Sequence, residues 1–491
     1  MGKKRAIIWG GAAIVAVAAA TAAVRTATFA PEGVADAGDV KLAAVPAYDL
    51  DAALSHLSAA TQIRTVSHQD PADNETAEWD KLHGWLTATY PAAHAALERT
   101  VLPGGTLVYR WAGSDASQAP IILMAHQDVV PVTPGTEGDW KYPPFSGEIA
   151  EKAVWGRGTV DDKGSLIGLF EAAEALARQG FKPKRDVYLI SGHDEEVGGT
   201  GAKAAAALLK AKGVRALFTL DEGAVVLRDA PVIDGPAILV GVAEKGYATL
   251  KVTANAPGGH SSMPPAETGV ATLARAVLAI TEKPFPIEVR GPGAAMIGVL
   301  AAHKGGTTKV AVANQWLLGP LLKREIASSP SSAAAYHTTI APTMLQGSPK
   351  ENVLPQSATA LINYRIAPWN RSAEIIARAK EAVGDTPVDI SWVEPPREPS
   401  RVSSTQSQGW KYVVAAARAD APDAIVSPYL VVGGTDSRNM EPVSDDVYRF
   451  MPMHLSVKET GMIHGTNEHM TSDSFRRMID FYARLIATAA G

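Results

Sequence analysis

Short, almost wholly apolar segments alternate with helix-patterned ones in this chain, and that alternation constrains its fold most. Residues 120–125, 186–191 and 216–220 each carry a near-continuous apolar run of strand length. A strand buried on both faces reads this way, because neither side meets water. Between these runs, residues 165–179 and 200–212 space their apolar side chains as helices do. A further helix is predicted over 49–60. Strands alternating with helices predict an α/β fold with a doubly wound, mostly parallel sheet.

The texture changes after Gly246. Residues 247–255 and 358–366 alternate apolar with polar side chains, and helices are predicted over 266–282 and 371–383. This is the pattern of a smaller α+β domain inserted into the first. Its middle, 284–335, reads as helical and irregular. There Trp316, Leu317, Leu318, Leu321 and Leu322 either line an acyl pocket or pack a helix. Near residue 398 the α/β pattern returns and ends in a helix over 472–490. A chain of 491 residues is expected to form more than one core. The expected organisation is a leader over 1–25, a linker over 26–47, a catalytic domain over 48–245 and 397–491, and a lid domain over 246–396.

Composition narrows the chemistry. The net charge of −5 argues against a nucleic-acid partner. There is no cysteine, which excludes disulfides and thiolate nucleophiles. A metal site must then use histidine nitrogen and carboxylate oxygen, donors that suit a catalytic centre. Lys3, Lys4 and Arg5 precede an uncharged run over 6–24. At helical rise that run spans roughly 28 Å, the thickness of a bilayer core. It is expected to contact the membrane as an uncleaved signal-anchor, a transmembrane helix with the catalytic part outside the cytoplasm. The alternative is a cleaved signal peptide that leaves the protein secreted or periplasmic.

Polar clusters follow the predicted strands, at the edge where open α/β sheets bind ligands. They are His126-Gln127-Asp128, Asp161-Asp162 within a glycine-flanked turn, Asp194-Glu195-Glu196, Asp221-Glu222 and His464-Gly465-Thr466-Asn467-Glu468. Each alone is ordinary. Together they bring histidines and carboxylates to one sheet edge, a set that fits two zinc ions sharing one carboxylate. Cobalt or manganese would accept the same donors. No Gly-x-Ser-x-Gly elbow is present, which argues against serine hydrolysis.

These motifs resemble the di-zinc aminoacylase and glutamate-carboxypeptidase family. The resemblance is stronger to its carboxypeptidase S branch, which includes N-fatty-acyl-amino-acid hydrolases. It runs from Thr65-Val66-Ser67 to the C-terminus. Its most branch-specific stretches are Thr338 to Met344, Asn352-Val353-Leu354-Pro355, Asn363-Tyr364-Arg365 and Gly433-Gly434-Thr435-Asp436-Ser437-Arg438. The resemblance implies that His126 and Asp221 hold one zinc, Glu196 and His464 the other, and that Asp161 bridges both. It implies that Asp128 orients His126 and that the Asp161–Asp162 peptide is cis. It makes Glu195 the general base for attack by a metal-bridging hydroxide, and His260 the residue that stabilises the oxyanion. Arg365, with Asn352 and Gly434, would hold the substrate's free carboxylate. The expected substrates are short peptides or N-acyl amino acids. The rival readings are a di-zinc aminopeptidase, against which Arg365 argues, and an inactive membrane-tethered binding protein, against which the intact Glu195 argues. His469 is the rival of His464 as a ligand. His464 is preferred because Gly465 completes the family's His-Gly turn.

Overall fold

The computed structural model describes residues 2–31, 34, 36–230, 232–233 and 235–491, without the side chains of residues 2–8, 10 and 11. Its largest element is a ten-stranded sheet. The strand order is Glu98–Val101, Leu107–Trp111, Val187–Ser191, Ile121–Met124, Ala216–Asp221, Ser444–Arg449, Gly235–Glu244, Val226–Ala230 and His454–Leu455, with Ile425–Val431 paired to Gly235–Glu244 off this path. The central strands run parallel. Ile121–Met124 pairs in parallel with both Val187–Ser191 and Ala216–Asp221, and Ser444–Arg449 continues in parallel from the latter. Antiparallel strands flank this centre on both sides, Leu107–Trp111 against Val187–Ser191 and Gly235–Glu244 against Ser444–Arg449.

Every residue of Ile121–Met124 and Val187–Ser191 is buried, so these strands show no polar alternation. Successive residues instead feed two cores. Ile121, Leu123, Val187 and Leu189 pack with the helices Leu50–Gln62, Lys163–Arg178 and Ser472–Ala490. Ile122, Met124, Tyr188 and Ile190 pack with Ala202, Ala205 and Leu209 of the helix Thr200–Ala211. Helices therefore cover both faces, as a doubly wound sheet requires.

Backbone proximity divides the chain into two units. One comprises Pro31–Val242, Ser403–Tyr429 and Thr435–Gly491; the other comprises Met1–Ala30, Ala243–Val402 and Leu430–Gly434. The second unit carries a four-stranded antiparallel sheet in the order Thr339–Gln346, Ser357–Ile366, Gly246–Asn255, Asp389–Trp392. Gly246–Asn255 buries every second residue, and Leu250, Val252 and Ala254 face a core shared with the helices Gly269–Thr281 and Ser372–Val383. A separate cluster of Ile297, Val312, Leu322 and Ile326 holds the irregular middle together. Of the apolar side chains there, Leu322 packs the helix Gln315–Ala327, whereas Trp316, Leu317 and Leu321 are exposed.

The N-terminal segment forms the helix Gly2–Ala27. Among the described residues, no helix is long and apolar enough to cross a membrane. The expected membrane-spanning segment over 6–24 gains no support from them. Residues 6–8, 10 and 11 of that run lie outside the described side chains. The helix's last turn is tied down within its own unit. Arg25 Nε donates to Ala313 O at 3.1 Å, and Asn314 Nδ2 donates to Thr26 Oγ1 at 2.9 Å.

One ring anchors the core under the larger sheet. Phe170 is buried and stacks on Tyr90 and His94, with centroid separations of 5.3 and 5.6 Å. Phe170→Ala is expected to cost about 3–5 kcal/mol in denaturant unfolding, through lost transfer energy and a residual cavity. A loss under about 1 kcal/mol would show that this cluster does not hold the core.

Candidate metal centre

The chemistry-bearing side chains sit where the parallel strands end. His126 and Asp128 follow Ile121–Met124, Glu195 and Glu196 open a short turn after Val187–Ser191, and Asp221 closes Ala216–Asp221. Asp161 precedes the helix Lys163–Arg178, and His464 lies shortly before the strand His469–Thr471. The turn that delivers Asp161 requires glycine. Gly158 has φ +85°, and a Cβ there would stand 2.4 Å from Val129 Cγ1. The Asp161–Asp162 peptide is cis.

Asp161 lies between two imidazoles. Its Oδ1 is 2.8 Å from His126 Nε2, and its Oδ2 is 3.0 Å from His464 Nε2. His464 Nε2 also reaches Glu196 Oε2 at 3.1 Å. One ligand atom each from His126, Asp161 and Glu196 falls within 4.8 Å of the others. Glu196 Oε1 is buried with no hydrogen-bond partner among the described residues. His126, Glu195 and Glu222 form a second such group.

Asp128 organises this centre from beneath. His126 Nδ1 is 2.9 Å from the main-chain O of Asp128 and 3.3 Å from its Oδ1, so the ring turns its other nitrogen towards Asp161. The same carboxylate accepts from the backbone N–H of Glu195 and of Glu196, each at 3.1 Å, and from Ser67 Oγ at 2.6 Å. Burial alone would raise Asp128, but its hydrogen bonds to His126, Ser67 and Glu196 outweigh it and hold the group below the usual carboxylate range.

The charge balance calls for cations. Hydrogen bonds to Asp161 and Glu196 push His464 up to about 10, against the effect of burial. Burial depresses His126, yet Asp128 and Asp161 hold it well above the ordinary histidine range. Burial, together with the Asp436, Glu196 and Asp161 carboxylates, drives Glu195 well above the usual range, despite His126. Burial likewise raises Asp221 to about 6. Divalent ions bound among these rings and carboxylates would displace ring protons. The donors are all nitrogen and carboxylate oxygen, which fits zinc, cobalt or manganese.

The expected ligands do not all converge equally. His126, Asp161, Glu196 and His464 meet, whereas Asp221 turns one oxygen to the backbone N–H of Ser437 at 2.8 Å. Its neighbour Glu222 stands closer to His126, with Oε1 3.7 Å from Nε2. Sequence reasoning gave Glu222 no role, because spacing does not say which of two consecutive acids turns inward. His469 stacks on Trp155 at 4.1 Å and hydrogen-bonds through Nδ1 to Asn467 O, a packing role.

The remaining expected site residues belong to the other unit. His260 pairs with Val353 in a two-stranded ribbon, and Ser261 N donates to Asn352 O, so His260 and Asn352 are neighbours. His260 Nδ1 lies 2.8 Å from Ser262 Oγ. Arg365 pairs with Tyr247 across the antiparallel sheet, and its guanidinium stands 4.8 Å from the tyrosine ring centroid. Gly434 is exposed.

Comparison with known proteins places this site in a class. Residues 122–488 match the model of peptidase family M20/M25/M40. The chain is 35% identical to the probable carboxypeptidase S-like 2 of Dictyostelium discoideum, with 88% of this chain and 83% of that protein covered. It is also 35% identical to the N-fatty-acyl-amino acid synthase/hydrolase PM20D1 of Xenopus tropicalis, covering 88% and 84%. The crystal structure of the M20 family metallo-carboxypeptidase Sso-CP2 from Sulfolobus solfataricus shares the fold, with a TM-score of 0.65 at 16% identity over 89% of this chain and 98% of that one. The chain belongs to the M20/M25/M40 peptidase family, and so to the hydrolytic metallopeptidases.

A site of this composition should bind divalent ions in preference to the unfolded chain. Adding zinc to chelator-treated protein is expected to stabilise it by about 2.7 kcal/mol at a hundred times Kd, read as a rise in Tm that excess chelator reverses. A Tm indifferent to zinc, cobalt and manganese would contradict a metal centre.

Proposed function

We propose that this protein hydrolyses the amide bond of short peptides or N-acyl amino acids that carry a free C-terminal carboxylate. His126 with Asp221, and Glu196 with His464, would hold two divalent ions, zinc by donor type, with Asp161 contributing to both sites. The observation that carries this reading is the pair of imidazoles, one on each oxygen of Asp161. When bound, such an ion pair acidifies water and draws electron density from a carbonyl oxygen.

The side chains do the rest. Glu195 takes a proton from the attacking water and passes it to the leaving amine. Asp128 fixes the His126 ring and, through two backbone N–H groups, the turn that carries Glu195 and Glu196. His260 stabilises the oxyanion. Arg365 holds the substrate carboxylate, assisted by Asn352 and Gly434. Burial lowers Arg365's pKa, and among the described residues no carboxylate forms an ion pair with it, which leaves its two-pronged donor face for an anion. The names of the relatives, a carboxypeptidase and an N-fatty-acyl-amino acid synthase/hydrolase, agree with a substrate of this class. The basic residues Lys3, Lys4 and Arg5 ahead of an apolar run support export of the catalytic part from the cytoplasm.

The test is a panel of N-acyl amino acids and dipeptides, each with its C-terminally amidated analogue, assayed with zinc restored after chelation. Activity is expected to be highest on the free acids, with the amidated analogues turned over slowly. Glu195→Gln should lose roughly 100-fold or more in kcat while keeping its metal. Arg365→Ala should raise KM at least about tenfold for the free acids and leave amidated substrates unchanged. No activity on any free acid, or an equal loss on acid and amide in Arg365→Ala, would overturn the proposal.

A further inference from the structure

A buried ion pair ties together the two loops that carry Asp161 and His464. Arg157 Nη1 donates to Glu468 Oε2 at 2.6 Å, and the two side chains are 2% and 0% exposed. They lie 311 residues apart in sequence. Glu468 uses its other oxygen on the Asp161 loop, where Oε1 accepts from Val160 N at 2.8 Å and from Asp161 N at 3.1 Å. Arg157 turns the opposite way. Its Nη2 donates to His464 O at 3.1 Å and to Gly465 O at 3.0 Å. The Glu468 carbonyl accepts from Gly156 N at 2.9 Å, and the guanidinium lies over the Trp140 ring at 5.3 Å.

Stability alone does not account for this arrangement. A buried salt bridge seldom outperforms a packed apolar pair, and Arg157 Nε is left buried without a partner, at a desolvation cost. The pair instead spends its hydrogen bonds on the backbone beside two side chains that meet. His464 needs such support, since its φ of +60° lies in the left-handed region that a non-glycine residue adopts only under constraint.

We propose that Arg157 and Glu468 are positioning residues that hold Asp161 and His464 at the separation a shared metal site needs. The inference rests on the functional reading above. Without the clamp, the His464 loop loses the side-chain bonds that tie its backbone to the Asp161 loop, and metal affinity falls before any substrate contact changes.

The experiment measures zinc affinity of the full-length protein by competition with a chromophoric chelator, alongside the unfolding midpoint of the metal-free form. It compares wild type, Glu468→Gln, and the double variant Arg157→Met/Glu468→Met, which keeps volume while removing both charges. Both variants are expected to bind zinc about 10- to 100-fold more weakly, with KM at saturating zinc within about twofold of wild type and kcat recovered as zinc is raised. Wild-type zinc affinity in the folded double variant, whatever its unfolding midpoint, would overturn the clamp. If Glu468→Gln does not fold, the double variant decides. Wild-type protein that takes up no zinc would instead sink the functional reading, and the clamp with it.

Discussion

The carboxylate of Asp161, held between His126 and His464, is the contact on which the site depends. Each histidine reaches a different oxygen, so one short acidic side chain joins loops that are remote in sequence. In a low-dielectric pocket such a group is costly unless positive charge surrounds it. Protons on the two rings supply that charge in the protein alone. Divalent ions would supply more of it, and would also satisfy Glu196 Oε1, which is buried without a partner among the described residues.

The fold prepares this arrangement by ordinary means. Parallel strands end together, so the loops after Ile121–Met124, Val187–Ser191 and Ala216–Asp221 open at one edge. Asp128 then performs two tasks with its main-chain and side-chain oxygens. It orients His126, and it caps the backbone of the turn that presents Glu195 and Glu196. Glu195 and Glu196, proposed as general base and ligand, thus inherit their positions from the same buried acid as His126.

How far the sequence discloses this depends on what each signal encodes. Strands such as Ile121–Met124 are legible because burial on both faces removes polar alternation, and the helix Ser472–Ala490 is legible from its 3.6-residue period. The antiparallel flank Leu107–Trp111 is not, since Tyr109 and Arg110 interrupt its apolar run. His126, Asp161, Glu196 and His464 are found from clusters after strands together with family resemblance. The choice between Asp221 and Glu222 is not, because it turns on side-chain direction at a strand end. The Arg157–Glu468 pair escapes as well: each residue stands inside a recognised motif, and only the folded chain brings the two motifs into contact.

Anomalous diffraction from zinc-loaded crystals at the zinc edge tests the central claim most directly. The account predicts two peaks flanking Asp161, about 3.5–4 Å apart as in other two-metal sites, one against His126 and Asp221 and the other against Glu196 and His464. A single peak, or peaks for which Asp161 is not a common neighbour, would contradict it.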